Sequence, residues 1–312
     1  MGRKYFRSLT VILLILALSL GATAGCGEKE SQEESVEKKE TVEADRVVQA
    51  EEIEAEDVQE EESAPPETVP QIPEELNMQL QNMIGERQAL GEKWSVYVED
   101  LSSGANTSVG NRQMESASLI KLFTAVTVFQ NMDEVTARES YDGETLDLMR
   151  KMIRVSDNDA ANTLVRRLGG GDAAAGMQKV NAFCQAYGFT ETHMGRLMLD
   201  FNAQDDNYTS AENCGRLLRS IYRNELAGSD TILGFMKEQE RRGKIPAGLP
   251  AGTVTANKTG ELDDVENDAA IVFAGTKDYI ICVMSGQLTD TYAARNKIIE
   301  ISGTVFQYMT NF

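Results

Sequence analysis

The chain has 312 residues, with 50 acidic against 30 basic side chains, one histidine and a formal net charge of −20. An acidic balance without a basic run argues against nucleic acid as a partner, and a single histidine excludes a histidine-rich metal site. The acids are unevenly placed, and their placement divides the chain.

Residues 1–25 open with Arg3, Lys4 and Arg7, continue as the apolar run LTVILLILALSLG and end in small residues. This is the charged, apolar and cleavage pattern of a secretory signal peptide, and the apolar run is short for a bilayer span. TAGC then places Cys26 after small residues, as in a bacterial lipoprotein cleavage site, where that cysteine carries the lipid and tethers the chain to a membrane. ATA (Ala22–Ala24) also suits an ordinary signal peptidase cutting before Gly25. Either reading makes the protein exported and extracytoplasmic.

Between residues 27 and 75 stand 19 acids, 4 bases, four of the six prolines and no aromatic residue. Such a stretch buries too little apolar surface to offset its ordering entropy, and like charges extend it. Residues 26–75 are therefore expected to be a disordered acidic linker, on the order of 40 Å end to end as a random coil. Residues 76–312, with 31 acids and 23 bases, are enough for a full core and are expected to be monomeric. Beyond Cys26 the cysteines are Cys184, Cys214 and Cys282. Their odd number and lack of metal-like spacing predict buried thiols.

Within that domain EELNMQLQNMI puts Leu76, Leu80, Met83 and Ile84 on one helical face. KWSVYVEDL alternates Trp94, Val96 and Val98 inward as a strand, SSGAN turns it, and TSVGNRQ returns antiparallel. An apolar helix starts at Ser118, and helical patterns continue to about residue 240: LDLMRKMIRV, DAANTLVRRLGG, AAAGMQKVNAFCQAYG and SAENCGRLLRSIYRN. Strand patterns resume with TVTANKT, DAAIVFAG and YIICVMSGQ, before a closing helix from about Tyr292 to Met309. The predicted class is α/β (α+β): an antiparallel sheet built from N- and C-terminal segments and covered by helices, plus a mostly helical lobe.

The chemistry centres on ESASLIKLF. Lys121 is the only charged residue between Ser118 and Asn131, and positions three apart on a helix share a face. Burial in so apolar a helix disfavours the ammonium form and makes the lysine a usable base for the serine. Ser-x-x-Lys alone is weak, since SVEK at Ser35–Lys38 matches too. SDN (Ser156–Asn158) and KTG (Lys258–Gly260) each carry a chance expectation of only about 0.05–0.1, and they follow in order. Singly, Ser156 reads as a helix cap and Lys258 as a solvated strand end. His193, after ETH, reads as loop packing.

Together the three motifs resemble those of the penicillin-recognising serine enzymes, most closely the class A β-lactamases. The resemblance extends to VEDLSSG, SDNDAANTLVRRLGG, LPAGTVTANKTG and ENDAAIV. It implies that Ser118 attacks a carbonyl carbon, with Lys121 as base or proton relay, and that Ser156 passes a proton to the departing nitrogen. Asn158 would bond the substrate amide and Lys121, while Lys258 and Thr259 would bind the substrate carboxylate. The N–H groups of Ser118 and Glu261 would form the oxyanion hole, with Gly260 permitting close approach. No cofactor is implied. The substrate would be a β-lactam or a D-Ala-D-Ala-type amide.

In that family a glutamate four residues before an asparagine positions the water that removes the acyl group. Here RLMLDFNAQDDNYTS matches Asn202 to the asparagine and puts Met198 at the glutamate's place. Asp200, Asp205 and Asp206 are the candidate substitutes. Three functions follow: a β-lactamase with a relocated base, a penicillin-binding or D-Ala-D-Ala peptidase-type enzyme, or a surface-tethered module that stays acylated.

Overall fold

The structure, a computed structural model, describes residues 72–275 and 277–311. The expected signal peptide, Cys26 and nearly all of the expected linker lie outside the described residues. Residues 72–75, counted with the linker by composition, belong to the folded part. Ile72 is buried, and its N–H donates to Asn106 O at 3.2 Å. Helix α1 (Glu74–Gln88) starts directly after Pro73. Glu74 and Glu75 are therefore first-turn acids, where negative charge complements the helix dipole, and not part of a repelling tether.

Leu76, Leu80 and Ile84 are the buried face of α1, with Met83 partly buried beside them. Strands β1 (Lys93–Asp100) and β2 (Asn106–Val109) form the expected antiparallel hairpin. Asp100 Oδ1 shapes its turn by accepting from Ser102 N at 2.8 Å and Ser102 Oγ at 2.6 Å. A short strand β3 (Met114–Glu115) leads into a 3-10 turn (Ala117–Leu119) and α2 (Ile120–Gln130). The helical lobe follows with α3 (Met132–Thr136), α4 (Glu144–Arg154), α5 (Asn158–Leu168) and α6 (Ala173–Ala186). Strands β4 (His193–Met194) and β5 (Asn207–Thr209) complete a small sheet in the order β3-β5-β4. Helices α7 (Ala211–Tyr222) and α8 (Ser229–Lys237) lead to a second 3-10 turn (Ile245–Gly248). The chain ends with β6 (Val254–Leu262), β7 (Val265–Phe273), β8 (Tyr279–Gly286) and α9 (Thr291–Asn311).

The main sheet is antiparallel, in the order β2-β1-β8-β7-β6. Pairing β1 with β8 unites segments nearly 190 residues apart, so the sheet cannot close until the last strand is made. Trp94, Val96 and Val98 point to the face covered by α1 and α9. The opposite face is not open to solvent, as simple alternation along β1 would suggest. Tyr97 packs there in the larger core with α2 and α7, and its hydroxyl donates to Glu99 at 2.7 Å. Gly215 on α7 makes room for it, because a Cβ there would lie 2.2 Å from the Tyr97 ring. His193, expected in a loop, sits in β4 with its Nε2 2.7 Å from Asp205 Oδ2. Cys184, Cys214 and Cys282 are free and buried.

Helices α5 and α6 meet through Gly176, where a Cβ would fall 1.8 Å from Val165 O. A backbone oxygen cannot retreat as a side chain can. Gly176→Ala should therefore destabilise the fold by about 1–3 kcal/mol or more, read as a lower midpoint in urea unfolding.

Candidate functional site

Ser118 lies in the 3-10 turn at the foot of α2. The preceding Ala117 is held at φ 47°, a left-handed conformation unfavourable for a residue with a Cβ. Three neighbours fix this turn. Ser116 N donates to Asn207 O at 2.8 Å. Asn267, fully buried on β7, donates Nδ2 to the carbonyls of Glu115 (2.9 Å) and Ser116 (3.3 Å) and accepts from Ser285 N at 3.0 Å. On β6, a Cβ at Gly260 would lie 2.7 Å from Ser116 O and 3.1 Å from Ser118 N. Only glycine lets the strand come so close to the serine's N–H.

Lys121 is fully buried on α2. Its Nζ bonds to Ser156 O at 2.6 Å, Asn158 Oδ1 at 2.7 Å and Ser156 Oγ at 3.2 Å. Among the described residues no hydrogen bond joins it to Ser118 Oγ; the amine reaches instead to the N-terminus of α5. Burial drives its pKa down to about 7, against an upward pull from Asp157 and with a further downward push from Arg241. Ser156 sits at φ 61°, and its hydroxyl also accepts from Lys258 Nζ at 2.8 Å. Lys258, fully buried on β6, gives a second bond to Thr259 O at 2.7 Å. Burial first, then repulsion from Lys121 and Arg241, holds its pKa well below the usual lysine value.

The isolated readings of Ser156 and Lys258 therefore fail. The cap of α5 is Asp157, whose Oδ1 accepts from Ala160 N at 2.7 Å, which leaves Ser156 Oγ between two lysines. Lys258 is no solvated strand end. A neutral lysine has two N–H donors and one lone pair. The two short Lys121 bonds suit the donors, and the 3.2 Å bond from Nζ to Ser156 Oγ is the one that loss of a proton gives up. Ser156 Oγ thus receives an amine from each side, Lys121 at 3.2 Å and Lys258 at 2.8 Å.

A cleft of ≈ 70 Å³ opens at Ser118. Ser118, Asn158 and Glu261 line it together with Arg196, Met198, Leu199, Phe201 and Leu262. Met198 lines the cleft beside Ser118. Asn162 grips its backbone from both sides, donating Nδ2 to Met198 O at 3.0 Å and accepting from Met198 N at 2.8 Å. The proposed substitutes are engaged elsewhere. Asp200 accepts from Asn202 N at 3.3 Å, Asp205 pairs with His193, and Asp206 pairs with Arg196 at 2.8 Å. None of them lines the cleft, and Asn202 is exposed and off it as well. Among the described residues no group of three or more His, Cys, Asp or Glu side chains is placed to hold a metal ion.

A family model described as the beta-lactamase enzyme family matches residues 75–309. The chain belongs to this family. Its fold is that of a class A β-lactamase-like serine hydrolase, with the Ser118 turn between the main sheet and the helical lobe. Among relatives of this β-lactamase-family chain, the β-lactamase ROB-1 of Haemophilus influenzae is 27% identical, covering 66% of this chain and 75% of that protein. The solved structure of PBP-A is 25% identical with a TM-score of 0.68, covering 78% of this chain and 99% of that one. An ancestral class A β-lactamase matches in fold at 22% identity and a TM-score of 0.65, over 74% and 99% of the two chains.

Sequence reasoning brought eight of these residues together: Ser118, Lys121, Ser156, Asn158, Lys258, Thr259, Gly260 and Glu261. It missed Asn267 as a clamp. The available signal was the polar run Glu266–Asp268 inside a strand pattern, whose side chains must find partners if buried.

If the neutral amine of Lys121 starts the reaction, the rate of Ser118 acylation should rise with pH through about 7 and level off above it. At pH 5 it should be about a hundredfold below the plateau. Stopped-flow acylation across pH checks this, and Lys121→Ala should abolish the rise together with the fast reaction.

Proposed function

We propose that the protein takes up acyl groups from β-lactams, or from D-Ala-D-Ala-type amides, on Ser118, and that hydrolysis of the acyl-enzyme limits its turnover. The observation that carries this reading is the Ser156 hydroxyl held between Lys121 and Lys258.

In the reaction, Ser118 Oγ bonds to the carbonyl carbon and loses its proton to the free amine of Lys121. The carbonyl electron pair moves to oxygen, which the N–H groups of Ser118 and Glu261 receive. As the C–N bond breaks, Ser156 gives its proton to the departing nitrogen and is reprotonated from the lysines that flank it. Asn158 bonds the substrate amide while holding Lys121. Lys258 and Thr259, both buried, lie beneath the corner toward which a substrate carboxylate would point. Met198, Leu199, Phe201 and Leu262 offer an apolar wall to the acyl substituent.

Removing the acyl group needs a water and a base. Met198 Sδ takes no proton, and the one carboxylate lining the cleft, Glu261, is already paired with Arg241 and Lys244. A long-lived acyl-enzyme follows, which also suits a peptidase-type or sensing role. The related PBP-A is known in a mutant form as an acyl-enzyme complex with penicillin G. In the cell, the domain is proposed to be exported, monomeric and held at a membrane by lipid on Cys26. Among the described residues no helix is long and apolar enough to cross a membrane.

A chromogenic cephalosporin assay combined with intact-protein mass tests this. The wild type should show a one-acyl adduct and slow turnover, and Ser118→Ala should show neither. Met198→Glu should raise turnover at least about tenfold with acylation little changed. No adduct and no turnover in the folded wild type would overturn the reading. For the anchor, fatty-acid labelling should vanish in Cys26→Ala; label that persists would refute lipidation there.

A further inference from the structure

The residue after the KTG motif contributes more than a backbone N–H. The Glu261 side chain lines the same cleft as Ser118 and Asn158. Two cations hold its carboxylate: Arg241 Nη1 at 3.1 Å from Oε2 and Lys244 Nζ at 3.2 Å from Oε1. Burial pushes its pKa up, but Lys244, and then Arg241 and Arg295, hold it below the usual carboxylate range. It is an anion at neutral pH.

The cations around the cleft are already matched. Lys244 is buried against Glu266 at 2.6 Å and the carbonyls of Gly260 and Asn267 at 3.2 and 3.0 Å. Arg295 pairs with Glu266 at 2.6 Å, and Arg196 with Asp206 at 2.8 Å. Lys258 is fully buried, bonded to Ser156 and Thr259, and driven toward its neutral form by burial. Arg241 is the half-exposed cation near both catalytic lysines, and Glu261 already holds it. A substrate carboxylate entering this corner must displace Glu261 from Arg241 or meet it as a like charge.

We propose that Glu261 is a specificity-determining residue, an internal carboxylate seated in the anion-binding corner that turns the site toward acyl donors without a negative charge there. This deepens the acyl-transfer reading of the same cleft and rests on it. Uncharged lactams, amides and esters with an apolar acyl substituent are the favoured class.

Benzylpenicillin and its methyl ester carry the same acyl group and ring and differ in one charge, so they isolate the effect. Ser118 acylation by each is timed by rapid quench and intact mass, and the ratio of anion to ester rates is the readout. The wild type should acylate at least as fast with the ester. Glu261→Gln keeps the backbone N–H and frees Arg241, and should raise the anion-to-ester ratio by about tenfold or more. Adding Arg241→Gln should erase that gain in the ratio. A ratio unmoved in Glu261→Gln, or a wild type that strongly prefers the anion, would overturn the proposal while leaving acyl transfer intact. No acylation by either probe would overturn acyl transfer itself, and this proposal with it.

Discussion

The site depends on one constraint: an amine, Lys121, enclosed by an apolar helix and cut off from water. A buried ammonium is costly unless every proton finds an acceptor, and here the acceptors come from a single turn, Ser156 O, Ser156 Oγ and Asn158 Oδ1. That turn delivers them because Ser156 adopts a left-handed conformation and Asp157 takes over the capping of α5. The same enclosure that threatens the charged form makes the neutral form accessible near pH 7. Base strength and fold stability are thus set by one packing arrangement.

The second lysine arrives from the far end of the chain. Strand β6 carries Lys258 to the Ser156 hydroxyl and Gly260 to the Ser118 turn, while Asn267 on the neighbouring strand ties that turn to the sheet. Because β1 pairs with β8, these strands are held only when both ends of the domain have joined. Loss of sheet closure therefore disperses the site as a whole.

Much of this was legible from residue type and spacing. Serine, lysine and asparagine motifs carry chemistry that needs those side chains, and the main elements announce themselves through apolar periodicity. What spacing did not show was partnership. Asp157 and Ser156 are adjacent and both cap helices well, so only the structure tells which one does. Glu74 and Glu75 look like tether by composition, but at a helix start they are first-turn acids. Tyr97 and Glu99 read as the outer side of β1 because the helix that covers them, α7, lies more than a hundred residues on. The pairing of Glu261 with Arg241 and Lys244 spans a turn and a strand, and no local pattern marks it. Met198 does line the cleft, while the aspartates near it in sequence do not.

Under the proposed export, the three buried thiols would meet an oxidising compartment. Burial pushes Cys184 and Cys214 up to about 12 and Cys282 well above its ordinary value. Thiolate is the species that reacts with oxidants and disulfides, so the folded domain presents almost none. Oxidation of these sulfurs must wait for the core to open. The amount of modified cysteine that accumulates in an oxidising medium then records how often the domain unfolds, and a population kept unmodified is one that has stayed shut.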